Sequence, residues 1–262
     1  MTKPPPTTRP DPEPVPGPVL FARYAYPPNA LGYCGPDDPS ALLAAVAGGG
    51  DLAALSAQAQ RFDGAWPYLE MIAARSGIDD PLDHRVVAAY WVGNDLVEGV
   101  AGRTLASALA HRFAGAPGAD PVLIAEAIGR GAVAHHSFHV FAVYPWLTLL
   151  RSGREQPALT VLDQCRIRWG RVESLDGEMA TVTSRSLAYE RGRLVLAPER
   201  PEQVRRSRDD LGLERDLAAG DFVSLHWDWV CERLGPRELA SLERCTSRNL
   251  DAVSVRPSGP KR

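Results

Sequence analysis

Hydrophobic positions between Leu20 and about Leu162 follow a helical period. Apolar side chains recur at every third or fourth position, and strand-like alternation is scarce. Asp38 before Pro39, and Asp80 before Pro81, place a capping carboxylate ahead of a first-turn proline, which is how many helices begin. The pattern predicts an all-helical domain over 20–163.

The pattern changes at about Cys165. Alternation over 165–172 indicates a strand, Asp176-Gly177 a hairpin turn, and 179–182 the returning strand. Further short strands are predicted at 186–189 and 194–196, joined by a second turn at Arg191-Gly192, and at 222–227. A closing helix is predicted at 236–244, and the prolines in 197–217 indicate an irregular insert. These elements predict an α+β chain in which an OB-like β-barrel with a C-terminal helix, residues 164–250, follows the helical domain.

The two ends of the chain carry little apolar bulk. Residues 1–19 contain eight prolines, so burial cannot offset the entropy of ordering them. We expect a disordered arm over 1–19, a folded part that begins near Leu20, and a flexible tail over 251–262.

The composition indicates where the protein works and which partners it lacks, but it does not indicate a reaction. Hydrophobic residues make up 45% and charged residues 23%, and the net charge of -3 argues against nucleic-acid or anionic-membrane partners. No apolar run reaches membrane-spanning length and no signal peptide is visible, which predicts a cytoplasmic protein. The cysteines form no CxxC pair, so reduced thiols are expected at Cys34, Cys165, Cys231 and Cys245.

Three segments in the last third resemble one family. The run Cys165 to Val172, followed by Leu175 to Val182, is similar to the opening of HypC/HybG-type maturation chaperones of nickel–iron hydrogenases: a cysteine, a Gly-x-Val strand, an Asp-Gly turn and a Met-Ala-x-Val strand. Gly220 to His226 resembles the family's Gly-Asp-Tyr-Val-x-x-His strand, and 232–240 resembles its closing helix. The helical domain resembles an uncharacterised bacterial family through the segment 21–36.

The resemblance to HypC implies a specific function. Proteins of that family are small OB-like barrels that work with HypD while an iron bearing cyanide and carbonyl ligands is built, and they deliver it to the hydrogenase large-subunit precursor. It implies that Cys165 and His226 handle the metal, and that iron, as Fe(CN)2CO, is carried transiently and not tightly bound. The expected partners are a HypD-like protein and the large-subunit precursor, and the resemblance implies a chaperone rather than a turnover enzyme.

The residue types suit this chemistry. A thiolate is a soft donor for iron and a neutral imidazole can add a second, more labile bond. Cys165, however, lies behind the helical domain and not near a chain end as in HypC. Its exposure therefore depends on the junction at 156–165.

Two alternatives stay open from the residues alone. His135 and His139 share a helix face if their segment is helical, and Cys34 lies in a turn-rich loop; together they make a possible second metal or cofactor site, and thus an enzyme centred on the helical domain. Hydrogen bonding in the core, and an extended arm over 21–36, explain the same residues without a ligand. The other alternative is a nucleic-acid-binding barrel, which would use these arginines and tryptophans: Arg166, Arg168, Arg171, Trp169, Trp227 and Trp229.

Overall fold

A computed structural model describes residues 14–49, 51–100, 102–112, 120–153 and 155–254. The α+β class is confirmed: helices occupy the chain up to residue 165, strands follow, and one long helix closes it. The helices before the strands are α1 Gly17–Ala30, α2 Ser40–Ala44, α3 Leu52–Ala59, α4 Trp66–Ser76, α5 His84–Trp91, α6 Gly102–Arg112, α7 Pro121–Gly129, α8 His136–Phe138, α9 Trp146–Arg151 and α10 Glu155–Cys165, with a 3-10 turn at Asp95–Gly99 and π-helical turns at Ala45–Gly49 and His139–Val143.

Aspartate caps start several helices. The side chains of Asp51, Asp83 and Asp120 accept backbone N–H groups in the first turns of α3, α5 and α7. The start predicted at Asp80-Pro81 is wrong. Asp80 instead accepts the N–H of Leu82 in a turn, and α5 begins only at His84 behind its own cap.

Helix α1 replaces the extended arm that the sequence suggested. It begins at Gly17, inside the stretch expected to be disordered, and 1–13 lie outside the described residues. Its side chains are almost all buried, and the stacking of Tyr24 on Trp91 (ring centroids 5.4 Å apart) is one of the contacts that fix it. Pro27 and Pro28 are accommodated because they lie in the last turn.

Five strands follow: β1 Arg168–Asp176, β2 Met179–Glu190, β3 Arg193–Arg205, β4 Phe222–His226 and β5 Trp229–Arg233. They close on themselves in the order β1-β2-β3-β5-β4, with β3 and β5 parallel and the other pairs antiparallel. Both predicted hairpin turns form, at Asp176-Gly177 and Arg191-Gly192.

Two sequence expectations in the barrel region are wrong. Cys165 does not begin a strand but ends α10, and β1 starts at Arg168. The segment 197–205, expected to be irregular, continues β3. Its prolines are tolerated because β3 pairs with β2 along its length but with β5 only at Arg205 and Trp229, which leaves one strand edge without a ladder.

The helices and the barrel share one hydrophobic core. Barrel residues such as Leu187, Leu194 and Trp229 belong to the same buried cluster as the helical core, while a separate small cluster fills the barrel interior. The closing helix α11, Pro236–Ser254, runs past the predicted end at 244 and packs back on α7 and α8. Among the described residues, no helix combines the length and apolar character needed to cross a membrane.

Candidate metal centre

Three buried donor side chains converge where the helices meet the barrel. Cys165 is the last residue of α10, His226 the last of β4, and His136 the first of α8. One ligand atom from each lies within 4.8 Å of the others. Donors around a tetrahedral transition metal are about 3.4–3.8 Å apart, given metal–ligand bonds of about 2.1–2.3 Å, so a small contraction would bring these three onto one ion.

His226 is oriented by a backbone carbonyl of α1. Its Nδ1 lies 2.6 Å from the carbonyl oxygen of Tyr24, which can only accept, so Nδ1 carries the hydrogen. Pro28 leaves that carbonyl available, because a residue four positions after Tyr24 would normally donate its N–H there and proline has none.

The other nitrogen of His226, Nε2, therefore carries the lone pair. It is buried and makes no well-formed hydrogen bond among the described residues, although the backbone of Cys165 lies close enough to act on the pKa of the ring. Buried polar atoms without a partner are rare, and a histidine that gives one N–H to a carbonyl and keeps the other nitrogen free is arranged as metal-binding histidines are. This orphaned atom is the observation that best fits a metal.

His136 approaches the same point from the helical side. Its Nε2 lies 2.8 Å from the Cys165 carbonyl oxygen and donates to it, and its Nδ1 accepts from the Tyr90 hydroxyl at 3.1 Å. A hydroxyl can donate or accept. If the Tyr90 hydroxyl accepts instead, the hydrogen moves to Nδ1, and the lone pair on Nε2 becomes available to a metal.

Burial fixes the protonation of all three side chains. Desolvation lowers the pKa of His136 to about 4, and desolvation followed by the neighbouring His136 lowers that of His226, so both rings are neutral at pH 7. Desolvation also raises the pKa of the Cys165 thiol, which keeps its proton. Neutral imidazole is the form that binds metals, and the thiol would release one proton on binding.

An aromatic layer keeps water from the cluster. The ring of Trp91 lies 4.5 Å from that of His136 and 5.7 Å from that of His226, and the two imidazoles are 5.3 Å apart. In this apolar setting an ion would meet the three donors rather than bulk solvent.

The neighbouring histidines have different surroundings. His135 precedes the helix as its N-cap, with its Nδ1 close to the N–H and hydroxyl of Ser137, so the helix face expected to join His135 and His139 does not form. His139 lies 3.2 Å from the Tyr68 hydroxyl, with its ring against Tyr144. Desolvation lowers the pKa of both histidines to about 3.

The structure does bring His139 together with Cys34. Both line a cavity of about 360 Å³ whose other polar lining includes Tyr144, Asp63 and Arg61. Cys34 is half-buried on the turn after α1, and burial raises the pKa of its thiol to about 12.

The arginines and tryptophans considered for nucleic-acid binding mostly face inward. Arg166 is paired with Asp163, Arg168 with Glu202, and both are 1% exposed. Trp227 and Trp229 are buried as well, so neither presents a free face for a base. Arg171 is the exposed member, and it pairs with Glu173.

Comparison with known proteins places the chain in one family. A family model described as a family of unknown function (DUF6390) matches residues 13–259. Neither a curated protein nor a solved structure matches the chain.

Proposed function

The chain belongs to this family of unknown function, and we propose from its own residues that it is an accessory protein that handles iron during assembly of a nickel–iron hydrogenase. The iron, as Fe(CN)2CO, is cargo held by Cys165 and His226, the positions of the HypC-like motif, with His136 of the helical part as a third donor. A HypD-like protein and the hydrogenase large-subunit precursor are the partners that this role requires.

The observation that carries the proposal is the meeting of Cys165 and His226. Motif position alone points to these two residues, which lie on different elements and have ligand atoms within 4.8 Å of each other. The barrel supports the same assignment. Five strands closed in the order β1-β2-β3-β5-β4, with the β3–β5 pair parallel, suit an OB-type barrel.

The donor set restricts the metal. One thiolate and two imidazoles are soft to borderline ligands, which favour iron, zinc or copper over magnesium or calcium. Three protein donors leave coordination positions open, and in this proposal the cyanide and carbonyl ligands of the cargo occupy them. The resemblance to HypC selects iron among these metals.

Burial of the site has a consequence for release. Cys165 is only 7% exposed, so the cargo leaves only when its cover moves. The exposed part of that cover is the loop after α1, where Tyr33 stacks on Trp227 with ring centroids 4.4 Å apart, next to His226. A partner that displaces this stack would open the site from the side of His226.

Infrared spectroscopy tests the proposal. The protein, coexpressed with a HypD-like protein and purified without oxygen, should carry iron with cyanide and carbonyl stretching bands. Cys165→Ala should lose the bands because the thiolate is the principal donor, whereas Cys245→Ala, which removes a buried thiol on α11, should keep them. Bands that persist in Cys165→Ala, or iron without such bands in the wild type, would contradict the assignment.

An enzyme with a resident metal is the second candidate. The observation in its favour is the burial of three donors in a protein that also has a cavity of about 360 Å³, lined by Cys34 and His139. Chelator challenge separates the two roles. A resident metal stays with the protein through prolonged dialysis against a chelator, whereas a carried iron is lost or passes to the precursor.

A further inference from the structure

Two of the three donors are flanked by residues that are hydrogen-bonded to each other. Gln164 directly precedes Cys165 at the end of α10, and Trp227 directly follows His226 at the end of β4. The backbone N–H of Trp227 donates to the carbonyl oxygen of Gln164 at 2.9 Å. The segments that carry the thiol and the imidazole therefore meet at this point.

Arg168, the first residue of β1, bridges the same two segments. Its Nη2 donates to the Trp227 carbonyl oxygen at 2.8 Å, on the side of His226. Its Nη1 donates to Gln164 Oε1 at 3.1 Å, on the side of Cys165. One planar guanidinium thus joins both segments, and we call Arg168, Gln164 and Trp227 the clamp.

The guanidinium of the clamp is buried and paired. Arg168 is 1% exposed, and its Nη2 lies 3.1 Å from a carboxylate oxygen of Glu202, which also accepts the Ser184 hydroxyl. An unpaired buried charge is costly, so Glu202 stabilises the guanidinium in this position. The charge also reaches the metal site: after burial and His136, Arg168 contributes to the lowered pKa of His226.

The backbone of Trp227 is strained in a way that the clamp explains. Its φ is 54°, in the left-handed region that a bulky side chain rarely adopts. The N–H and the carbonyl of this residue are both bonded within the clamp, to Gln164 and to Arg168. Strained conformations persist where the surroundings enforce them, and this one directly follows His226.

We propose that Arg168 is a positioning residue for the metal site: it holds Cys165 and His226 at ligand distance and thereby sets how long the site retains its metal. The inference rests on the proposed metal site at Cys165. It concerns retention of the ion, and it requires neither the cyanide ligands nor the partner proteins of the proposed function.

Arg166 offers a matched comparison for a merely structural role. It is also 1% exposed, and it pairs with Asp163 at 3.0 Å. Its guanidinium bonds to Asp163 and to the Arg185 carbonyl, and to no atom of the turn after His226 among the described residues. Loss of Arg166 therefore removes a buried ion pair and leaves the clamp intact.

Metal loss from the cobalt-loaded protein tests the inference. The full-length protein, loaded with cobalt(II), is mixed with excess chelator, and the decay of the Cys165-dependent sulfur-to-cobalt absorption band gives the dissociation rate. Arg168→Met should raise this rate by about tenfold, because the two ligands separate more readily without the guanidinium. Arg166→Met, the matched control, should stay within about twofold of the wild type.

Two further variants separate the clamp from charge and from stability. Arg168→Lys keeps the charge but not the planar fork, so it should lose cobalt nearly as fast as Arg168→Met. Gln164→Ala removes one acceptor of the clamp and keeps the buried pair of Arg168 and Glu202, so it serves if the Arg168 variants fold poorly. It should raise the dissociation rate by about threefold, the effect of one hydrogen bond.

The outcomes separate this inference from the proposed function. Arg168 variants or a Gln164→Ala protein that lose cobalt at the wild-type rate overturn the clamp and leave the metal site intact, and so does an Arg166→Met protein that loses cobalt as fast as Arg168→Met. A wild type without a Cys165-dependent band overturns the metal site and the clamp together. Absence of the cyanide and carbonyl bands, with the clamp still slowing cobalt loss, overturns the iron cargo alone.

Discussion

At the scale of single residues, Pro28 decides which nitrogen of His226 is free. Its missing N–H leaves the Tyr24 carbonyl to His226 Nδ1 at 2.6 Å, and this bond turns Nε2 and its lone pair toward Cys165 and His136. A proline in the last turn of a helix thus acts on a proposed metal ligand that lies about 200 positions later in the sequence.

Replacement of Pro28 tests this dependence. Pro28→Ala restores an N–H that competes for the Tyr24 carbonyl, so the affinity for cobalt should fall by about tenfold in a competition titration with a chromogenic chelator. Pro27→Ala is the matched control: it restores the same kind of helical hydrogen bond, but to the carbonyl of Arg23. Equal losses in both variants would show that the effect comes from the helix and not from His226.

The sequence singles out two of the three residues of the cluster, and the reason that it does not single out the third is local. Cys165 and His226 follow from motif positions. The sequence does not single out His136, because a segment that is helical throughout would pair His135 with His139. In the structure His135 is extended as an N-cap, so the helix starts one residue later and His136 is the side chain directed at Cys165. The extended backbone of His135, which helix propensity does not specify, therefore decides which histidine faces Cys165.

At the scale of elements, α11 holds the segment that carries His136. Asn249 on α11 is fully buried; its side-chain oxygen accepts the N–H of Val133 at 2.8 Å and its amide donates to the Ser137 hydroxyl at 2.9 Å. Helix α11, which the sequence assigned to the barrel, therefore also holds the segment of the helical part that carries His136.

Loss of the Asn249 amide should be costly. Asn249→Ala leaves the buried N–H of Val133 without its partner, and the free energy of unfolding should fall by about 2–3 kcal/mol in urea denaturation. Arg244→Ala on the exposed side of α11 should change it by less than about 0.5 kcal/mol. A cobalt titration of Asn249→Ala at low temperature would also report weaker binding if the segment around His136 loosens.

The sequence predicts the elements that local backbone preferences determine, and it misses those that tertiary contacts stabilise. The hairpin turns at Asp176-Gly177 and Arg191-Gly192 form as predicted, because their backbone requirements are local. Helix α1 and the last part of β3 were missed because prolines argued against them. Each is stabilised by its surroundings. Most side chains of α1 are buried against the rest of the protein. The β3 prolines lie where one edge of the strand forms almost no backbone hydrogen bonds, so few N–H donors are needed there.

At the scale of the whole molecule, a partly buried carboxyl group joins the helices to the barrel. The hydroxyl of Tyr24 on α1 donates to Glu232 on β5 at 2.8 Å and lies 2.8 Å from the Ser224 hydroxyl on β4. Desolvation raises the pKa of Glu232 to about 7, with Tyr24 and Arg23 opposing the shift. Near neutral pH the folded protein therefore binds a proton that the unfolded chain has released.

This proton makes stability depend on pH. Between about pH 4.5 and 7 the unfolded chain loses the Glu232 proton while the folded protein keeps it, so this residue lowers the free energy of unfolding as pH rises, by at most about 3 kcal/mol. The buried histidines act in the opposite direction, because their lowered pKa values remove stability as pH falls. The difference between variants is therefore the quantity to measure.

Glu232→Gln should gain stability relative to the wild type as pH rises from 5 to 7.5, since the glutamine keeps a hydrogen-bond acceptor for Tyr24 and has no proton to lose. Urea denaturation at both pH values gives the comparison. Glu243→Gln, an exposed substitution on α11, should track the wild type. A Glu232→Gln protein that runs parallel to the wild type would show that Glu232 ionises normally in the folded state.

The common core of helices and barrel also bears on how such a protein can change over evolutionary time. A substitution at Trp91 alters the surroundings of both His136 and His226, and a change at Pro28 alters a barrel histidine. A substitution in the helices or in the barrel is therefore expected to require a compensating substitution in the other part. The two halves are therefore expected to evolve together, because the residues of the proposed metal site depend on contacts from both.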